Sequence, residues 1–539
     1  MKLLRGKVIK LRNIIFAIFI FTMAFFIRIY NIGLLPINND ETHRARYLLE
    51  NPAVIRRFMG IPIFYIQSFS HYISDFLVNY VSGSKIFTLG EFMFVVRFES
   101  VVIGAATVLL VYILAREMYG ARTAIISSVF LCFLPWHIMQ SRIAGRAIWV
   151  PFFGCLIFWC LFKAKQEKIK LWAVVWFLLA CFFLKESLTT YESAILFVPI
   201  FFASLIWLGN EAKQLRSIKA VLIALLIAAL FIGPFALKIL KMGPDFWDIF
   251  CCGYQKNVFV GNLFFNLWGN IKNNFISALG DLFFNLRGSP LFNAMALRGP
   301  LLIHPVLFFL FIGSLIQSIY QRRACDKIIL IWLLLGFFGG LAGVNLFQAR
   351  YIIIALPVFI ILTGKFIAEI FNWLPKRDSP KRWVFLAAVM LLTCGIITTE
   401  IVRWGRYYYA APSDLDECLT NSYGSKEAGY YLSQIKDIES YNIFSDFRQA
   451  TDVYLNFYSL NRGKGKIINY LYRFEKKAGS RGSFYVLWAA ESHPKDFWDG
   501  QFQYVYDRFK QEHPGEIPVK TVYYPNGIPA IYIFKIDKG

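Results

Sequence analysis

Long apolar runs alternate with short basic stretches along the first four hundred residues of the chain. Runs of roughly 18–22 apolar residues are long enough to cross a hydrocarbon core of about 30 Å. The pattern therefore predicts a mainly α, polytopic membrane protein with about eleven transmembrane helices. The predicted spans lie at about 13–30, 93–115, 121–136, 147–163, 171–184, 192–208, 218–238, 301–319, 328–346, 351–371 and 383–402.

Two further apolar segments have a mixed pattern that favours surface helices over spans. Segment 61–83 carries Gln67, His71 and Asp75 at helical spacing, and polar groups at mid-bilayer are costly. Segment 261–286 has the same mixed character. We expect both to lie on the membrane surface as amphipathic helices, within two long external loops, 31–92 and 239–300.

The composition changes after the last predicted span. The stretch SKEAGYYLSQIKD has helical character, whereas YNIFSDF, GSFYVLWAA, VKTVYYP and IPAIYIFKI are typical of short strands bounded by turn residues and charge. We therefore divide the chain into a transmembrane module, 1–402, and a small soluble α/β domain, 403–539.

Charge sets the predicted orientation. The formal net charge is +23, and the lysines and arginines concentrate in the N-terminus and in alternate short loops. Because basic loops stay in the cytoplasm, the N-terminus is predicted to be cytoplasmic. An odd number of spans then makes the C-terminal domain extracytoplasmic. Anionic membrane lipid explains the basic loops, so nucleic acid is not an expected partner. The nine cysteines show no metal-binding spacing.

Four polar motifs fall on the predicted outer side, where loops are otherwise poor in cations. They are NNDETHRAR with Asp40, Glu41 and His43; QSRIAGR with Arg142 and Arg146; LKESLTTYES with Lys185 and Glu186; and NLFQARY with Arg350 and Tyr351. Arginine offers a planar donor fork that suits bidentate phosphate recognition. A carboxylate is ionised at neutral pH and serves as a general base when it reaches a hydroxyl proton.

Each motif also has a plainer structural interpretation. The acids at 40 and 41 suit the first turn of a helix, and Arg142 and Arg146 suit snorkelling to lipid head groups. Residues 185 and 186 suit an exposed ion pair of little energetic weight. Arg350 suits the cap of a tight turn, and His43 suits a structural role.

Taken together, these motifs resemble the GT-C membrane glycosyltransferases, in particular the protein O-mannosyltransferases and the bacterial aminoarabinose transferases that modify lipid A. The resemblance covers roughly residues 10–402. It rests mainly on NDETHRAR just past the first span and on the RY....P pattern within QARYIIIALPVFIILTG. A long first external loop and a soluble tail complete the likeness.

The resemblance implies an inverting sugar transfer at an external active site. Abundant Ile, Lys and Phe with a single-chain architecture indicate a bacterial cytoplasmic membrane. The donor would be a polyprenyl-phosphate sugar, and the acceptor a hydroxyl group of a lipid, a glycan or a protein. By position, Asp40 and Glu41 would be catalytic, and Arg142, Arg146, Arg350 and Lys185 would bind the donor phosphate. His43, Tyr351 and Glu186 would be accessory. Certain relatives place a divalent metal near the first-loop acids, but no metal ligand is assigned here.

Two alternatives remain open from the sequence. An oligosaccharide or O-antigen ligase would move a preassembled glycan through a roomier outer vestibule. A lipid flippase or transporter would place ionisable residues near mid-span and broken helices in matched halves.

Overall fold

The structure is a computed structural model that describes most, but not all, of the chain. The described residues are 2–30, 32, 41, 89–143, 145–167, 169–188, 190–211, 266–279, 305–343, 349–371, short pieces between 383 and 402, 424–445, 451–461, 470–471, 482–489, 501–523 and 527–537. Asp40 and His43, most of both long loops, and the predicted span 218–238 lie outside the described residues.

Helices make up the described part of residues 1–402. They are α1 (Lys2–Ile29), α2 (Leu89–Tyr119), α3 (Ala121–Phe133), α4 (Pro135–Arg142), α5 (Trp149–Gln166), α6 (Lys170–Ser187), α7 (Phe197–Glu211), α8 (Leu267–Leu279), α9 (Pro305–Gln321), α10 (Ala324–Ala342) and α11 (Leu356–Ile370). Three short 3-10 helices lie between them: η1 (Arg146–Ile148), η2 (Glu192–Leu196) and η3 (Ala349–Ala355).

The helices confirm an integral membrane protein of mainly α structure. Within the described residues, five helices are long and apolar enough to cross a membrane, and α3 with α4 would make a sixth. The count of eleven spans stays a prediction. Helix α2 lies at the centre, where it packs against α1, α3, α4 and α5. On the other side of the bundle, Trp332 of α10 stacks on Phe158 of α5 with ring centroids 4.3 Å apart.

The predicted span 121–136 is broken instead of continuous. Helix α3 ends at Phe133, α4 begins at Pro135, and the two axes differ by 59°. Proline has no backbone N–H, and its ring clashes with the carbonyl four residues earlier, so a helix cannot pass through it unchanged. Helix α4, which follows the break, ends at Arg142, one of the predicted phosphate ligands.

Three of the predicted spans open with a 3-10 helix before the α-helix begins. Each following α-helix carries a proline within its first turn: Pro151 in α5, Pro199 in α7 and Pro357 in α11. Proline is tolerated in the first turn, where its missing N–H has no intrahelical partner to lose. The residues ahead of each proline therefore form the tighter 3-10 geometry that is frequent at helix ends.

A helix is present within 261–286, where the mixed pattern predicts one, and its place on the membrane surface stays a prediction. Helix α8 packs against α10, and its buried face carries two asparagines. The Nδ2 atoms of Asn270 and Asn274 donate to the carbonyls of Ala342 and Leu341 at 2.9 and 3.0 Å. These carbonyls end α10 and have no partner within their own helix. Helix α8 therefore caps α10. The surface helix predicted at 61–83 lies outside the described residues.

The C-terminal part is an α/β unit, with each predicted strand present. Its elements are α12 (Ser425–Gln434), β1 (Asn442–Ser445), α13 (Thr451–Asn461), β2 (Tyr470–Leu471), β3 (Ser483–Trp488), α14 (Gln501–Glu512), β4 (Lys520–Tyr523) and β5 (Pro529–Ile536). The strand order is β2-β1-β3-β5-β4. Strand β1 runs parallel to β2 and β3, and β5 runs antiparallel to β3 and β4.

The α/β unit docks on the N-terminal end of α2. Three buried side chains of α13, Val453, Tyr454 and Phe457, pack against the buried first turns of α2. The rings of Phe92 and Phe457 are 5.2 Å apart. This contact places the unit at the end of α2 that follows the first long loop. Which side of the membrane this end faces, and whether 403–539 is an independent soluble domain, stay predictions.

Candidate functional site

The three 3-10 helices meet at one end of the helical bundle. Helix η3 packs against both η1 and η2, and η1 also packs against α2 and α4. The motifs QSRIAGR, LKESLTTYES and NLFQARY flank or include these 3-10 helices. The structure therefore brings three of the four predicted polar motifs to one place.

Aromatic contacts join the third and fourth motifs. The rings of Tyr191 and Tyr351 lie 5.7 Å apart, and both side chains are buried. The guanidinium carbon of Arg350 lies 5.6 Å from the centroid of the Tyr351 ring. A guanidinium over an aromatic ring is attracted by the ring quadrupole. Arg350 is partly exposed, so these contacts hold a cation where η2 and η3 meet.

Arg142 caps the C-terminal end of α1. Its Nη1 atom donates to the carbonyls of Ile27, Arg28 and Tyr30, at 3.4, 3.1 and 2.5 Å. The last carbonyls of a helix have no intrahelical partner, and a cation near them is favourable. The side chain is buried, which differs from a snorkelling arginine. The predicted role of Arg142 in phosphate binding is neither supported nor opposed by this contact.

A second buried arginine makes the reciprocal contact. Nη1 of Arg28, in α1, donates to the carbonyl of Cys132 at 3.3 Å, and Nη2 donates to the carbonyl of Leu131 at 3.4 Å. The Leu131 carbonyl is the one that Pro135 leaves without a helical N–H. Nη2 also lies 2.7 Å from Nδ1 of His137. Because arginine only donates, this nitrogen accepts. Helix α1 thus supplies Arg28 to the carbonyls at the end of α3, and α4 supplies Arg142 to the carbonyls at the end of α1.

Glu41 forms a buried bidentate ion pair with Arg97 of α2. The Nε and Nη2 atoms of Arg97 donate to the two carboxylate oxygens, each at 2.6 Å. The Nη1 atom of Arg97 donates to the carbonyl of Ile32 at 2.7 Å. Arg97 therefore contacts the chain at both Ile32 and Glu41. This geometry, in which Arg97 bonds both carboxylate oxygens, favours a positioning role for Glu41.

Sequence reasoning missed Arg97 because it lies inside the predicted span 93–115. A second acid in the same helix, Glu99, was missed for the same reason. Its Oε1 atom accepts a hydrogen bond of 2.9 Å from Nε1 of Trp149, the first residue of α5. The signal was available, because an ionisable residue inside an apolar span points to a partner or a function.

Lys185 and Glu186 form a pair of neighbours near the end of α6. The Nζ atom of Lys185 lies 3.1 Å from Oε1 of Glu186, with the lysine side chain 32% exposed and the glutamate 6% exposed. A cation in the last turn of a helix is favourable. Arg146 begins η1 and is partly exposed. Both cations therefore keep part of their surface accessible.

A separate buried ionic cluster lies at the opposite end of α2. The Nζ atom of Lys365 lies 2.6 Å from Oδ1 of Asp326 and donates to the hydroxyl of Ser318 at 2.9 Å. The Tyr119 hydroxyl donates to the same Oδ1 atom at 2.8 Å. The cluster joins α2, α9, α10 and α11. Across the part of the chain that the structure describes, no group of three histidine, cysteine or acidic side chains is placed to hold a metal ion.

Comparison with known sequences identifies relatives among glycosyltransferases. The family model described as dolichyl-phosphate-mannose-protein mannosyltransferase matches residues 80–237, which include Arg97, Arg142 and Lys185. The undecaprenyl phosphate-alpha-4-amino-4-deoxy-L-arabinose arabinosyl transferase 2 of Proteus mirabilis is 28% identical over 244 residues. That match covers 42% of this chain and 41% of the relative, so less than half of the relative is spanned.

Comparison with solved structures identifies the fold. An Archaeoglobus fulgidus oligosaccharyltransferase tethered to an acceptor peptide superposes with a TM-score of 0.57 at 13% identity, covering 96% of this chain and 74% of that one. The apo form of ArnT from Cupriavidus metallidurans superposes with a TM-score of 0.55 at 10% identity, covering 98% of each chain.

The fold is similar to that of these two membrane enzymes. Together with the sequence matches, it supports a resemblance to the GT-C membrane glycosyltransferases, in particular the protein mannosyltransferases and the aminoarabinose transferases. The resemblance inferred from the motifs is therefore confirmed.

Proposed function

We propose that this protein is an inverting glycosyltransferase that moves a sugar from a polyprenyl-phosphate donor to a hydroxyl acceptor at the outer face of a bacterial cytoplasmic membrane. The observation that carries the proposal is the meeting of η1, η2 and η3, which brings the motifs of Arg146, Lys185 and Arg350 together. A cluster of cations at one end of an apolar bundle suits a phosphate whose hydrocarbon tail lies among the spans.

The donor phosphate would lie against Arg350 and Arg146, with Lys185 and Arg142 nearby. These cations would meet the charge that develops on the phosphate as the sugar departs, which is the usual form of electrostatic stabilisation in enzymes. The isoprenoid tail would contribute roughly 0.8 kcal/mol for each buried methylene. The Proteus relative is named for an undecaprenyl phosphate sugar, which makes undecaprenyl phosphate the carrier we propose here.

Asp40 would be the general base. In the proposed step it accepts the proton of the acceptor hydroxyl while that oxygen forms a bond to the anomeric carbon. The bond from the anomeric carbon to the phosphate oxygen breaks on the opposite face, and its electron pair leaves with the polyprenyl phosphate. Glu41, held by Arg97, would fix the position of Asp40 and thereby contribute to catalysis. His43, Tyr351 and Glu186 would be accessory, and a divalent metal near residue 40 stays open.

The proposed orientation has the N-terminus in the cytoplasm and the C-terminal α/β unit outside. It is drawn from the basic loops. The docking of α13 on the N-terminal end of α2, where the Glu41–Arg97 pair also lies, supports only that the α/β unit and this pair share one side. Catalytic loop and α/β unit would then share one compartment with the acceptor.

Replacing Asp40 tests the proposal most simply. We expect Asp40→Asn to abolish transfer from a radiolabelled undecaprenyl-phosphate sugar while leaving undecaprenyl phosphate binding unchanged, because an amide cannot accept the hydroxyl proton. The matched control is Asp507→Asn, on an exposed position of α14. Near-normal turnover of Asp40→Asn would remove this residue from the mechanism. Movement of the intact labelled lipid without sugar transfer would instead indicate a flippase.

A further inference from the structure

One face of α10 lies along the whole length of η3. Trp332, Gly336 and Gly340 recur every four residues and so share a helix face. Nε1 of Trp332 donates to the carbonyl of Ile354 at 2.8 Å. A Cβ atom on Gly336 would lie 3.3 Å from Cγ2 of the same isoleucine. A Cβ atom on Gly340 would lie 2.7 Å from the backbone oxygen of Tyr351.

Gly340 is the tightest of these contacts. A real Cβ atom essentially never lies within 3.0 Å of a non-bonded heavy atom. The atom that it would meet here is a backbone oxygen of η3. Backbone cannot rotate away as a side chain does. An alanine at 340 would therefore push Tyr351 outward, and Arg350 with it. The neighbouring Gly339 meets only the flexible end of Leu196 in η2, at 2.6 Å.

The outer end of α10 is itself held in place. Helix α8 caps its last carbonyls through Asn270 and Asn274, and the ring of Phe275 stacks on that of Phe338 at 6.0 Å. A 3-10 helix has poorer hydrogen-bond geometry than an α-helix, so the position of η3 depends on what it packs against. The α10 face supplies that support from a fixed element.

We propose that the α10 contact face, formed by Trp332, Gly336 and Gly340, positions Arg350 and Tyr351 for the donor phosphate. Gly340 is a positioning residue, since it acts through η3 and not through contact with the lipid. The inference rests on the proposed function, because it assigns the face to the same phosphate site. Gly336 and Gly340 have the GxxxG spacing that is typical of close backbone contact within a membrane.

Three variants of the full-length protein test this inference. Gly340→Ala adds the clashing methyl group, and Trp332→Phe keeps a large ring but removes the N–H that binds Ile354. Gly395→Ala is the matched control, because a Cβ atom there would meet nothing within 4 Å. Each purified variant is measured for amide hydrogen exchange across residues 349–355, for affinity for undecaprenyl phosphate, and for its thermal unfolding midpoint.

We expect faster exchange across 349–355 in Gly340→Ala and Trp332→Phe. We also expect affinity about tenfold weaker, which corresponds to about 1.4 kcal/mol. The control should match the wild type in both. Unchanged exchange in both variants would overturn the inference, as would faster exchange with unchanged affinity. If the wild type binds no undecaprenyl phosphate, the proposed function fails, and the support of η3 by α10 is then judged by exchange alone.

Discussion

At the scale of single residues, the ion pair of Glu41 and Arg97 involves the sequence neighbour of the proposed base. Arg97 bonds both carboxylate oxygens of Glu41 and the carbonyl of Ile32. A planar guanidinium makes these contacts together, whereas a lysine ammonium is a single point of charge. The position of Glu41 therefore depends on a fork that only arginine provides.

Arg97→Lys tests this positioning role. The variant keeps the charge but loses the bidentate geometry, so we expect Asp40 to shift. Misplacement of a reacting group by about 1 Å costs on the order of 100-fold in rate. Steady-state kinetics with the undecaprenyl-phosphate sugar should show kcat lowered by one to two orders of magnitude, with the KM for the donor little changed.

A matched control for this variant is Arg508→Lys. Arg508 pairs with Glu512 at 2.9 Å on the surface of α14, with the two side chains 36% and 46% exposed. Exposed pairs of this kind contribute little to stability, so its kinetics should match the wild type. A normal kcat in Arg97→Lys, or a loss confined to KM, would contradict the positioning role.

At the scale of elements, the break between α3 and α4 and the end of α1 support each other. Arg28 bonds the carbonyls that the break leaves exposed, and Arg142 bonds the carbonyls at the end of α1. Backbone carbonyls without partners are costly in an apolar bundle. The two arginines let a bent helix persist there, and the bent segment ends at Arg142.

Removing Arg28 should destabilise the protein. In Arg28→Met the Leu131 and Cys132 carbonyls lose their partner, and each unsatisfied buried group costs about 1–3 kcal/mol. We expect a clearly lower thermal unfolding midpoint in detergent. Arg12→Met is the control, because Arg12 is exposed on the same helix. Equal midpoints for the two variants would show that the reciprocal contact contributes little.

Much of the fold could be predicted from the sequence, because apolar runs and strand patterns are local signals. Strands β1, β3, β4 and β5 and helix α8 lie where the pattern predicts them, whereas the two-residue strand β2 was not predicted. The 3-10 helices were not predicted, although Pro151, Pro199 and Pro357 each signalled a change at the start of a span.

The candidate site was less accessible to sequence reasoning than the fold. The predicted topology assigns the four motifs to one side of the membrane, but it does not predict which of their residues are in contact. The pairing of Glu41 with Arg97 joins two positions 56 residues apart, and no spacing rule reaches that far. The close approach of Gly340 to the backbone oxygen of Tyr351 is a distance in space that the sequence does not give.

At the scale of the whole molecule, the candidate site residues that the structure describes lie toward one end of the helical bundle. The 3-10 helices, the Glu41–Arg97 pair and the docking contact of α13 all lie at that end. The ionic cluster of Lys365 and Asp326 lies at the other end and ties four helices together. This asymmetry fits a transferase whose site opens on one face of the membrane, and it underlies the proposed function.

The most direct test of the account is the sidedness of residues 40 and 350. Asp40→Cys and Arg350→Cys would each be introduced after the nine native cysteines are replaced, and intact spheroplasts would be treated with a membrane-impermeant maleimide. The account predicts that both positions are labelled from outside, before the membrane is permeabilised. Labelling of the two positions from opposite faces would contradict it, because base and phosphate ligand could not then share one site.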